Sequence, residues 1–121
     1  MGSIAAGGLI ETFTDLRETI DISDVFSEKG IFALTVNGDS MIDAFIADGD
    51  MVLIPISDIY SLRNGDIVSA LVPGLGTTLK YFLKKNNKIY LEAANSAYDP
   101  IILDPEQVVI QGKLLAVWRK V

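Results

Sequence analysis

The chain has 121 residues, half of them hydrophobic and 21% charged, with a formal net charge of −6. That size and composition predict one folded domain around a single core and exclude general disorder. It holds no cysteine and no histidine, which excludes disulfides, zinc–thiolate sites, cysteine nucleophiles and any serine–histidine–aspartate triad.

Met1-Gly2-Ser3 reads as a start followed by a short cloning remnant, so the domain is taken as residues 4–121. Residues 4–8, Ile-Ala-Ala-Gly-Gly, are small and flexible, and the next twenty read as loop with short strands or turns. From residue 31 the pattern becomes β: Ile31–Val36 is a strand ended by the turn signal Asn37-Gly38. Ser40-Met41-Ile42-Asp43 and Ala44-Phe45-Ile46, stopped by Asp48-Gly49-Asp50, predict one or two turns of helix. Met51–Ile56 and Asp66–Val72 are further strands, the latter opened by Asn64-Gly65. Turns at Pro73-Gly74-Leu75-Gly76 and Asn86-Asn87 join Asp66–Val72 to Thr77–Lys85 and Lys88–Ala94, which predicts a three-stranded antiparallel meander. After Pro100 and Pro105 comes a last strand, Val108–Arg119, broken near Gly112. The expected fold is mainly β, in one domain, with very little helix.

Charge is uneven along the chain. Residues 1–60 carry eleven acids and two bases, whereas residues 61–121 carry five acids and eight bases. An acidic domain has no general attraction to phosphate, so direct nucleic-acid binding is not expected. Lys80, Lys84, Lys85 and Lys88 form the one basic cluster, and a run of that size also fits a solvated hairpin end.

Two residues stand out chemically. Ser40, with Asp43 three residues on, has the capping-box spacing, Asp taking the place of Glu. A serine at a helix start also lies beside backbone N–H groups able to hold an oxyanion, so cap and nucleophile are both open readings. Lys80 is the one charge within Thr77–Leu83, and strand alternation puts Thr78, Lys80 and Phe82 on one face. Such a lysine can snorkel to water at a strand edge, or it can be desolvated and serve as a general base. A Ser–Lys dyad is chemically admissible, though composition alone does not establish it. Asp39, Asp43, Asp48 and Asp50 are dense but lack the order of a calcium loop, so no metal site and no cofactor is expected.

In order, Gly38-Asp39-Ser40-Met41, Asp48-Gly49-Asp50, Asn64-Gly65-Asp66-Ile67-Val68 and Thr77-Thr78-Leu79-Lys80 resemble the C-terminal domain of LexA repressors. The wider family also holds UmuD-like polymerase accessory proteins and phage repressors. Ile4-Ala5-Ala6-Gly7-Gly8 resembles the LexA self-cleavage segment, and the two chain ends look most like cyanobacterial LexA proteins. The resemblance implies twisted antiparallel sheets of the LexA C-terminal-domain or signal-peptidase-like type, with one short helix after the serine. It implies a serine–lysine autoprotease in which Ser40 is the nucleophile, neutral Lys80 the base and Ala6-Gly7 the bond that is cut. By position, the backbone N–H groups of Asp39 and Ser40 would be the oxyanion donors. It also implies a homodimer, with Leu114–Val121 the candidate interface, and a RecA filament on single-stranded DNA as activator of the DNA-damage (SOS) response. Operator DNA would be bound through a winged helix-turn-helix domain that this chain does not contain.

Three other readings compete. One is a non-catalytic dimerisation or interaction domain of a LexA- or UmuD-like protein. Another is a signal-peptidase-type protease acting in trans, which would need a membrane anchor that no apolar run of ~18 residues supplies. The last is a plain β-barrel binding domain in which Ser40 caps a helix. For the chain end, the alternative to an interface is that Leu115, Val117 and Trp118 complete the core.

Overall fold

A computed structural model describes residues 16–18, 30–55 and 61–119. Nine strands lie within them: β1 (Leu16–Glu18), β2 (Ile31–Val36), β3 (Met51–Pro55), β4 (Ile67–Val72), β5 (Gly76–Lys85), β6 (Lys88–Glu92), β7 (Ile101–Leu103), β8 (Val109–Lys113) and β9 (Ala116–Trp118). They form a four-stranded sheet in the order β1-β2-β3-β9 and a five-stranded sheet in the order β7-β6-β5-β4-β8. Every pairing is antiparallel, as expected of a mainly-β chain.

The predicted meander is β4-β5-β6. Its second turn places Asn86 and Asn87 at φ 54° and 61°, the left-handed pair that suits a two-residue hairpin and that asparagine tolerates. The meander is widened on one side by β7, a three-residue strand between two prolines that the sequence reading passed over. On the other side it is widened by β8.

Two expectations need correction. The short helix after Ser40 is a single 3₁₀ turn, Ile42–Ala44, and no α-helix occurs among the described residues. The cap position is Met41, without a side-chain cap bond, so Ser40 and Asp43 do not form a capping box. Phe45 at φ 64° ends the turn after one revolution. The last strand is interrupted near Gly112 as expected: its pairing with β4 shifts register between Ile110 and Gly112, and the chain leaves the sheet at Leu114-Leu115 before β9. There the chain passes between sheets: the Leu114 N–H bonds to Ile67 O on β4 at 2.7 Å and the Leu115 N–H to Leu53 O on β3 at 2.9 Å. Gly112 lies within β8, where its backbone packs closely against β3. A Cβ on it would lie 2.1 Å from Pro55 O and 2.8 Å from Ile54 Cγ2.

Two apolar clusters result. Val68, Ala70, Val72, Phe82, Ile89 and Leu91 cover one face of the five-stranded sheet. Val36, Met41, Ile46, Val52, Ile54, Leu79 and Ala94 join the β2–β3 side to the opposite face of β5. Met41 and Ile46 anchor the 37–50 connection, so the segment carrying Ser40 is packed rather than loose.

Candidate functional site

Construction of the site begins on β5. Lys80 pairs directly with Val68, and Thr78 with Ala70, so both side chains leave the sheet on the face that carries Phe82. Lys80 is 4% exposed and Thr78 fully buried. Of the two sequence readings of this lysine, snorkelling to water is therefore not the one realised. Its Nζ donates to Thr78 Oγ1 at 2.5 Å and to Ser40 Oγ at 3.2 Å. Residues 40 apart in sequence thus meet, and the two positions singled out as a possible dyad are within hydrogen-bond reach of each other.

Ser40 reaches that place because the β2–β3 connection is pinned at several points. Its base is closed by Val36 N–H to Asp50 O at 2.7 Å and Gly49 N–H to Val36 O at 2.8 Å. Asp48 accepts the Gly38 N–H at 2.7 Å. The loop is tied to Ala94 twice: the Asp43 N–H bonds to Ala94 O at 2.8 Å, and the Ala94 N–H approaches Met41 Sδ at 3.3 Å. Asp39 is held from the segment after β6, where Asn95 Nδ2 donates to its carbonyl at 3.0 Å and the Tyr98 hydroxyl to its carboxylate at 2.7 Å.

The far end of the connection is clamped electrostatically. Buried Asp50 receives Arg119 through Nε and Nη2, both at 2.6 Å, and also accepts the Ala47 N–H at 2.8 Å. The Arg119 guanidinium holds the Asp50 carboxyl below the usual carboxylate range, against the opposing effect of burial. A second Nη2 contact, 3.2 Å to Phe45 O, fastens the residue that ends the 3₁₀ turn. The chain's last described residue is thereby fixed to the loop bearing Ser40.

The remaining sequence candidates separate. Lys80 leaves the basic cluster altogether. Lys84, Lys85 and Lys88 stay exposed at the hairpin end, with Lys85 Nζ 5.4 Å above the Tyr90 ring and Lys88 paired with Asp104. Of the four clustered acids, Asp39, Asp48 and Asp50 each have a separate partner, as given above. Leu115, Val117 and Trp118 are 58%, 39% and 50% exposed, so they do not complete the core of this chain. Ala6 and Gly7 lie outside the described residues.

With one 3₁₀ turn in place of a helix, no helix dipole acts at Ser40. Sequence reasoning missed Thr78 as a partner of Lys80, although strand alternation had put both on one face. It also missed Asn95, Tyr98 and Arg119, whose contacts span 56, 59 and 69 residues and leave no local pattern. A family model described as Peptidase S24-like matches residues 1–115 of the chain.

Proposed function

The chain belongs to the Peptidase S24-like family, and on that premise we propose that it is the self-cleaving domain of a LexA-type repressor, of the cyanobacterial kind. The observation that carries this reading is the 3.2 Å approach of buried Lys80 Nζ to the Oγ of partly exposed Ser40. With no histidine in the chain, a buried amine beside a hydroxyl is the pairing able to accept the serine proton.

The reaction runs in two steps. Lys80, as the free amine, takes the Ser40 hydroxyl proton while Oγ bonds to the carbonyl carbon of Ala6. The carbonyl electrons move onto oxygen, where the Asp39 and Ser40 N–H groups stabilise the charge. Collapse breaks the Ala6–Gly7 bond and the ammonium returns its proton to the leaving Gly7 nitrogen. Water, deprotonated by the same amine, then releases Ala6 from Ser40. Thr78 keeps Nζ aimed, because its hydroxyl serves an amine or an ammonium equally well.

In the parent protein this cut separates the domain from its DNA-binding half and relieves repression during the DNA-damage (SOS) response. Such a regulator works beside the chromosome, in the cytoplasm, as a homodimer joined through the exposed Leu115, Val117 and Trp118. A RecA filament on single-stranded DNA stimulates cleavage by binding the cleavable arrangement more tightly than the resting one. N-terminal sequencing of the large product tests the reading: a new terminus at Gly7 is expected, formed faster when the filament is added. A different terminus refutes the assigned bond, and an equal rate refutes the activator.

A further inference from the structure

Asn95 reaches the Ser40 loop from the segment after β6. Its Nδ2 donates to the Asp39 carbonyl oxygen at 3.0 Å, and the Ile42 N–H reaches the same oxygen at 3.2 Å. The other end of the Asn95 amide is engaged locally, where Oδ1 accepts the Ala97 N–H at 2.9 Å. An asparagine has one accepting and one donating end, so this local bond turns Nδ2 toward Asp39. Three residues later Tyr98 adds a tie to the Asp39 carboxylate, and its own N–H closes the turn on Asn95 O at 3.1 Å.

A trans peptide is planar, with its C=O and N–H pointing in opposite directions. Pinning the Asp39 carbonyl therefore pins the direction of the Ser40 N–H. We infer that Asn95 is a positioning residue for self-cleavage: by holding the Asp39 carbonyl, it fixes the Ser40 amide as a donor to the oxyanion that forms on the scissile carbonyl. The inference rests on the proteolytic reading above. When Ser40 Oγ bonds to the Ala6 carbon and its proton passes to Lys80, negative charge collects on the carbonyl oxygen. A donor already oriented stabilises that charge without first having to turn. Asn95 touches neither the substrate nor Lys80 in this scheme and acts through one peptide plane.

Asn95→Asp is the informative variant. It keeps an oxygen for the Ala97 N–H, so the turn persists, but it presents an unprotonated oxygen to the Asp39 carbonyl at neutral and alkaline pH. Asn95→Ala removes both bonds, and Tyr98→Phe removes the neighbouring tie while leaving the peptide held. First-order self-cleavage of the whole chain would be followed from neutral to alkaline pH, alongside thermal melting. Removal of an oxyanion donor costs roughly 10²–10³ in rate, so a donor present but poorly held should cost about ten- to hundredfold. Both Asn95 variants should show that loss at every pH, with the pH of half-maximal rate unmoved and melting well above the assay temperature. Tyr98→Phe should stay within a few-fold of the unsubstituted chain. A residue that only supported the fold would lower the melting temperature and leave the rate of folded protein alone.

Asn95→Asp cleaving within about twofold of the unsubstituted chain, on a scale where donor loss costs at least about a hundredfold, would overturn the inference and leave the proteolytic reading standing. A shifted pH midpoint with an intact plateau would also overturn it, because Asn95 would then act through Lys80. An unsubstituted chain that never cuts itself at any pH would overturn the proteolytic reading, and this inference with it.

Discussion

Lys80 and Lys88 lie on adjacent strands of one hairpin, and their amines meet opposite surroundings. Lys80 is buried, and its Nζ donates to the hydroxyls of Thr78 and Ser40. Lys88 is exposed and ion-paired with Asp104, whose carboxylate holds the Lys88 ammonium above the usual lysine range. A carboxylate favours only the charged amine, whereas a hydroxyl can accept from an ammonium or donate to a free amine. The same side chain thus meets a carboxylate at one end of the hairpin and two hydroxyls at the other, the surroundings that the proposed proton transfer requires. Position along β5 and β6, rather than residue type, makes the difference.

The largest expected effects separate these two ends. Ser40→Ala and Lys80→Ala should each abolish self-cleavage, whereas Lys84→Ala and Lys88→Ala should leave its rate unchanged. Product analysis of the four variants under one condition checks this, and equal loss from Lys88→Ala would erase the distinction. Ser40→Ala should cost about 1 kcal/mol of stability or less, since it removes one part-buried hydrogen bond. Gly7→Asp should also stop processing, by placing bulk and charge where the segment has to enter, and unchanged processing would move the cut elsewhere.

Next come the devices that hold the buried end in place. Gly112→Ala places a methyl group against Pro55 O and Ile54, and it should cost about 3 kcal/mol in urea unfolding. A cost near zero would mean that the sheets can separate there freely. Asp50→Asn weakens the Arg119 clamp and should cost about 2 kcal/mol at neutral pH. Because the folded Asp50 carboxyl titrates lower than an unfolded one, its contribution is present above about pH 4 and fades as pH falls through the folded value. Urea titrations at stepped pH should therefore show the gap between variant and unsubstituted chain narrowing in acid; a gap independent of pH would contradict the clamp.

The smallest effect belongs to the exposed end. Lys88→Ala should barely move the melting temperature, as is usual for surface pairs. What the pair does contribute is complete below about pH 10.4 and fades as pH rises through the higher folded value of Lys88. Added salt should remove the remaining difference, and one that survives high salt would show packing rather than charge.

Much of this arrangement was legible in the sequence. Alternation placed Thr78, Lys80 and Phe82 on one face, and the Asn86-Asn87 turn set the hairpin, because both are local consequences of strand geometry and turn chemistry. Ser40 was found as a serine after a glycine turn, but its supposed helix cap was not. Ser40 and Asp43 read like a helix start, while the packing of Met41 and Ile46 and the left-handed Phe45 limit the segment to one 3₁₀ turn. β7 is too short to carry a pattern. The interruption near Gly112 was legible because glycine often marks a bulge, whereas its close packing against Pro55 and Ile54 is visible only in the fold. Asn95, Tyr98 and Arg119 act across long stretches of chain, so only the fold reveals them.

Intact-mass spectrometry of the purified chain tests the central claim most directly. Samples would be incubated near neutral pH and near pH ~10, where an amine begins to lose its proton, with Ser40→Ala alongside. Loss of residues 1–6, faster at high pH and absent from Ser40→Ala, is the expected result. An unchanged mass at both pH values, or the same loss from Ser40→Ala, would contradict a Ser40–Lys80 protease.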